Sequence, residues 1–230
     1  EFPSTYYLAY RDIPEIIGRH VTGKDALDFG CGTGRSTRFL HKLGFTATGV
    51  DISQAMIDKA RQFDPTGDYR LIGDGDLTSL THATYDLVLS VFTFDNIPLM
   101  SKRTGLFRDL GNLLAPDGKN VCLDTTEELY VKDRPSFSTR PFAENRTAKS
   151  GDIVRTIMND VEDRRPVEDV FWTDDDYLDT FKRAGLEAEA SYRPLGKQDE
   201  PYAWVSETTI APWVIYVLKR AHAPRSCDRS

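Results

Sequence analysis

Apolar positions along the chain follow two rhythms, and the two take turns. Short runs at 26–29, 45–50, 69–72 and 85–91 have the length and composition of strands. The run at 85–91 (YDLVLSV) is almost unbroken, as expected of a strand covered on both faces in a parallel sheet. Further strands are predicted at 120–125, 186–192 and 213–218. Between these runs the spacing becomes helical. Ile13, Ile16 and Ile17 share one face, and Leu106, Leu110, Leu113 and Leu114 predict a helix over 102–114. Ser53 is placed to cap a helix that ends before Pro65, and Thr173 to cap one that runs through Tyr177, Leu178, Phe181 and Ala184 to Gly185. Asp174, Asp175 and Asp176 then sit in a first turn, where carboxylates favour the helix dipole, and are read as a helix start rather than a metal site.

The breaks are as informative. Residues 115–119 (APDGK) read as a turn. Residues 126–150 are polar and lack periodicity, which is long for a structureless loop. Two strands follow at 153–158 and 167–172 around a charged turn. Residues 194–212 form a second long loop carrying Tyr202 and Trp204, and 221–230 reads as a frayed tail. No internal repeat and no second core is visible, so 1–230 is taken as one domain.

Chemistry concentrates where the first strand meets the first long helix. Asp28-Phe29-Gly30-Cys31-Gly32-Thr33-Gly34-Arg35 is a strand, a tight turn and a helix start. Glycine there supplies φ > 0 and lets a ligand approach bare backbone, and the helix N-terminus offers free N–H groups to an anion. The dinucleotide pattern G-x-G-x-x-G is not met, because its third glycine would fall on Arg35 and the chain has Gly34 one place early. Asp51 ends the next strand, at the distance where a carboxylate takes a ribose diol. Cys31 reads as a small residue in a tight turn.

At these residues the chain resembles the class I S-adenosylmethionine-dependent methyltransferases. The resemblance implies a Rossmann-like, doubly wound, seven-stranded α/β sheet, mostly parallel with an antiparallel last strand, plus an inserted β-hairpin over the active site within 126–172. It implies S-adenosyl-L-methionine as cofactor. Asp28 and the backbone of Gly30, Cys31, Gly32 and Gly34 would hold the aminoacyl end, Asp51 the ribose, and Ile52 and Met56 the adenine. Asp74, with Gly75 or Asp76, would meet the adenine edge, and Ser90 and Phe92 would complete the cofactor side. Residues 1–20 would form a lid, with Arg11 on the cofactor carboxylate and Tyr6, Tyr7 and Tyr10 on the substrate; a surface helix with aromatic anchors is the competing reading.

Composition narrows the acceptor. Lys+Arg 29 against Asp+Glu 36 gives a net charge of -7 and a pI near 5.2, which argues against a nucleic-acid acceptor. A small molecule, methylated on N or O, is expected, in the cytoplasm and away from membranes. Three cysteines without a C-x-x-C pair fit a reducing compartment and predict no metal. Ligands in open α/β sheets sit beyond the carboxyl ends of strands, which points to the loop after residue 91. Phe92, Phe94 and Trp172 would make a dry site and Asn96 would orient the acceptor. Asp95 is either a general base or the cap of the next turn. His20, His41, His82 and His222 fall at no strand end, so no catalytic histidine is assigned. Two other readings remain at this point: a cofactor-binding module without catalysis, and an NAD-dependent oxidoreductase.

Overall fold

A computed structural model describes residues 4–80 and 84–221; His82, His222 and all of the expected tail but Ala221 lie outside them. Two short helices open the chain, α1 (Ser4–Arg11) and α2 (Ile13–His20). Strands and helices then alternate as β1 (Asp25–Phe29), α3 (Arg35–Lys42), β2 (Thr46–Asp51), α4 (Gln54–Phe63), β3 (Asp68–Leu71), β4 (Tyr85–Val91), α5 (Met100–Asn112) and β5 (Leu114–Thr125). An insertion carries β6 (Phe137–Ser138), β7 (Ile153–Met158) and β8 (Val167–Val170). The chain closes with α6 (Asp174–Arg183), β9 (Leu186–Tyr192) and β10 (Trp213–Arg220).

The main sheet has seven strands in the order β3-β2-β1-β4-β5-β10-β9. Its first five strands pair in parallel, and β10 runs antiparallel to both β5 and β9. Strand alternation splits the core in two. On β10, Val214, Tyr216 and Leu218 face Leu106, Leu110 and Phe181, whereas Trp213, Ile215 and Val217 face Leu8, Ile13 and Ile17. The strand order reverses between β1 and β4, so a crevice opens at their carboxyl ends beside the glycine turn.

Three local expectations change. Ser53 makes no side-chain cap; Asp51 Oδ1 accepts from its N–H at 2.8 Å instead. The turn at 115–119 is an irregularity inside β5, whose Leu114 and Lys119 pair with Tyr85 and Leu87. The inserted hairpin is a three-stranded sheet, because Phe137 and Ser138 add a strand to β7, and the stretch before it contains helical turns at Glu127–Tyr130 and Ala143–Thr147. Thr173 does cap α6: its hydroxyl accepts from Asp176 N while Asp176 accepts from Thr173 N.

Candidate active site

The glycine turn takes the shape its sequence requires. Gly30, Gly32 and Gly34 have φ of +74°, +53° and +76°. A Cβ on Gly30 would lie 2.5 Å from Thr93 Oγ1 and one on Gly34 2.6 Å from the Tyr69 ring, whereas one on Gly32 would meet open space. The turn is held from below by Asp51, whose Oδ2 accepts from Gly32 N at 2.9 Å.

A cleft of about 320 Å³ lies against this turn, bounded by Phe29, Gly30, Asp51, Ile52, Asp74, Gly75 and Phe92. Ile52 is 59% exposed, an apolar side chain standing in water beside two carboxylates. Acids for a diol and for a ring amine, an apolar seat between them and bare backbone at one end fit an adenosyl group with an amino-acid tail. The sequence did not point to Ile72, Ile97, Pro98, Leu106 or Lys102, which complete the wall. Lys102 donates to Asp74 Oδ2 at 2.5 Å across the rim.

Other expected cofactor residues face elsewhere. Asp28 is fully buried, and its Oδ2 accepts from Ser36 Oγ at 2.7 Å and Thr37 Oγ1 at 2.6 Å. It pins the first turn of α3 rather than lining the cleft, and burial pushes its carboxyl up to about 6. Cys31 is buried and supports the turn. Arg11 is spent on other partners: Asp12 at 2.7 Å, Glu200 at 2.7 Å and the Leu195 carbonyl. Asp76 accepts from Thr78 and closes its own turn. Ser90 is buried in the sheet, and Met56 on α4 lies outside the cleft wall.

A second cavity, of about 180 Å³, shares Phe92 and Asn96 with the cleft. Tyr6, Phe137 and Trp213 join Phe92 in its wall, and Asp95, Thr156, Met158 and Asp169 line it too. Phe92 has φ +53°, a left-handed backbone that costs a non-glycine residue on the order of 1–3 kcal/mol and that clusters at functional sites. Its N–H donates to Leu123 O at 3.0 Å and its ring lies 4.6 Å from that of Trp213. Trp213 Nε1 in turn donates to Thr5 O at 2.8 Å, which fixes α1 and places Tyr6 against the cavity.

The remaining substrate-side expectations part company here. Tyr10 is buried against Phe39, and Tyr7 packs on Tyr202. Phe94 is wholly buried, stacked 3.8 Å from Phe107, so it belongs to the core. Trp172 borders a further cavity of about 370 Å³ with Asp174, Tyr177 and Arg193. Asp95 lies inside the turn at 94–96 and makes no side-chain cap; its Oδ1 accepts from Asn96 Nδ2 at 2.7 Å. Burial first and the neighbouring Asp124 second push Asp95 well above the usual carboxylate range. Asp169, unforeseen in the sequence, is pushed up to about 7 by burial first and Asp124 second. His20 binds Glu189 and Tyr192, and His41 the Ala47 carbonyl, away from both cavities. Among the described residues no acid, thiol and imidazole groups gather into a metal site, and no helix is long and apolar enough to cross a membrane.

Residues 27–122 match a family described as a methyltransferase domain. An uncharacterised methyltransferase of Bacillus licheniformis is 32% identical over 137 residues, which is 58% of this chain and 61% of that protein. The 18S rRNA (guanine-N(7))-methyltransferase of Bos taurus is 38% identical over 147 residues, 60% of this chain and 50% of that one. The chain spans about half the length of the curated relatives it matches. An S-adenosylmethionine-dependent methyltransferase from Clostridium acetobutylicum has the same fold, with TM-score 0.66 and 15% identity over 94% of this chain and 92% of that one.

Proposed function

We propose a function that proceeds from one premise: the chain belongs, through residues 27–122, to the class I S-adenosylmethionine-dependent methyltransferases, whose cofactor is S-adenosyl-L-methionine. The protein is an enzyme that moves a methyl group to N or O of a small molecule. One observation carries this reading. The cleft suited to the adenosyl group and the aromatic cavity share Phe92 and Asn96 in their walls, so two ligands would lie side by side and meet at that border.

When bound, the cofactor supplies an electrophilic methyl on a positive sulfur. Asp51 would bind the ribose hydroxyls, Ile52 would cover the adenine, and Asp74 would accept from its amino group. Phe92, Tyr6 and Trp213 would hold the acceptor in line and keep water out, and placement of that kind accounts for much of the acceleration in a direct displacement. The small size of the cavity and the lack of any Lys or Arg in its wall support a small-molecule acceptor over a nucleic acid. Cys31 and Cys122, both buried and unpaired, support a cytoplasmic location.

Calorimetry with S-adenosylhomocysteine tests the premise: saturable binding is expected, and none with NAD. A screen of small amines, phenols and alcohols beside a guanine-containing RNA hairpin tests the acceptor. Turnover on the RNA alone would overturn the small-molecule reading.

A further inference from the structure

The cavity beside Phe92 is built unlike a pocket for a neutral hydroxyl. Its rings form one continuous cluster. Tyr6 lies 5.8 Å from Trp213, 5.3 Å from Phe137 and 5.9 Å from Phe92. Ring faces of this kind attract cations, more strongly where water is excluded. Two carboxyl groups, Asp95 and Asp169, enter the same wall, and no lysine, arginine or histidine does.

The charge around those carboxyls is incomplete. Asp124 is wholly buried on β5 beside Asp95, with the Tyr177 hydroxyl near it. Both carboxyls are raised, by burial first. Arg103 of α5 is fully buried, its guanidinium 4.4 Å from the Trp172 ring and 4.3 Å from the Tyr177 ring. Its positive charge favours the Asp124 carboxylate. Among the described residues, the side-chain partner of Asp169 is Tyr130 Oη, which donates to its Oδ2 at 3.3 Å. Tyr6, Tyr130, Tyr177, Asp95, Asp124, Cys122 and Arg103 are titratable and charged groups around this set, from α1, the turn at 127–130, α6, the turn at 94–96, β5 and α5, and Arg35 and Asp160 act on Tyr6. None of them supplies Asp169 with a cation. Buried carboxylates are stable when paired, and the aromatic wall leaves space for the partner where the acceptor would sit.

We propose that the acceptor is an amine, which enters the Tyr6–Phe92–Phe137–Trp213 cavity as an ammonium ion paired with Asp169. This rests on the methyltransferase reading above and narrows it to nitrogen. The ammonium first passes one proton to the Asp169 carboxylate, giving a neutral amine and a carboxylic acid. The nitrogen lone pair then forms the N–C bond to the methyl while the C–S bond breaks, its electron pair going to sulfur. The methylated ammonium leaves with the positive charge the sulfur has lost.

Calorimetry on the full chain, saturated with S-adenosylhomocysteine, tests this with matched pairs: phenylethylamine against phenylethanol, and cyclohexylamine against cyclohexanol. Each amine is expected to bind at least tenfold tighter than its alcohol. Near pH 7 its binding should release protons from Asp169, seen as a dependence of the heat on the ionisation enthalpy of the buffer. Asp169→Asn should abolish both the preference and the proton release while S-adenosylhomocysteine still binds, which confirms a folded variant. Equal binding of amine and alcohol, no binding of either amine, or an unchanged preference in Asp169→Asn would overturn the proposal. Loss of S-adenosylhomocysteine binding in the unaltered protein would instead overturn the methyltransferase reading itself.

Discussion

Asp51 does two jobs with one carboxylate. It accepts from Gly32 N and from Ser53 N, and so shapes the turn whose cleft it also borders. Asp51→Ala is expected to lower S-adenosylhomocysteine affinity tenfold or more by calorimetry. The glycines separate the two effects. Gly30→Ala would force a Cβ to within 2.5 Å of Thr93 at a φ of +74°, so a large fall in melting temperature is expected. Gly32→Ala meets no neighbour, so its melting temperature should fall less while cofactor affinity falls sharply. The turn and Asp51 were legible in the sequence because one local motif carries them. Asp28 was legible as important, but its partners Ser36 and Thr37 were not. Its buried site makes it an anchor of α3, outside the wall of the cleft. Asp169 and Trp213 gave no local signal at all. Trp213 reaches the cavity through the pairing of β10 with β5, far apart in sequence, and Asp169 through the packing of the β7–β8 hairpin against the turn at 94–96, so only the topology brings them together.

Among the elements, helix positions were easier to read than loop contents. The apolar spacing of α5 and the cap and spacing of α6 each lie within a few residues, so local pattern finds them. The insertion gave up its two longer strands but not β6, a two-residue strand whose hydrogen bonds depend on β7 being in place. Removing the cap of α6 with Thr173→Ala should cost about 1 kcal/mol in urea unfolding and leave cofactor affinity unchanged, since α6 does not touch the cleft. The first helix behaves differently. Thr5 donates to the buried Glu207 at 3.1 Å, and its carbonyl accepts from Trp213. Trp213→Phe, which removes the indole bond that ties β10 to α1, is expected to cost about 1 kcal/mol and to weaken acceptor binding more than cofactor binding.

Across the whole molecule the buried acids set the response to pH. Asp28, Asp95, Asp124 and Asp169 all have carboxyls raised by burial, to about 6 and about 7 for the first and last. In the unfolded chain these groups lose their protons near pH 4. Between pH 4 and 7 the folded state therefore holds more protons, and stability falls as pH rises through that window. One such group contributes a slope of at most about 1.4 kcal/mol per pH unit. The melting temperature should be higher at pH 5 than at pH 8, and Asp169→Asn should flatten the curve between pH 4 and 7. Carboxyls lowered by a partner, such as Asp68 beside Arg70, act below this window, since their stabilisation is lost only as pH drops through their depressed values. The division of labour along the chain has one more consequence. The cleft wall is drawn from residues 29–106, all inside the segment shared with relatives, while the neighbouring cavity borrows from the N-terminal helix, the insertion and the final strand. Kinship with other proteins therefore speaks for the methyl donor and is silent on the recipient. A chimaera that keeps 21–125 and exchanges the rest should inherit its appetite for substrates from the other parent.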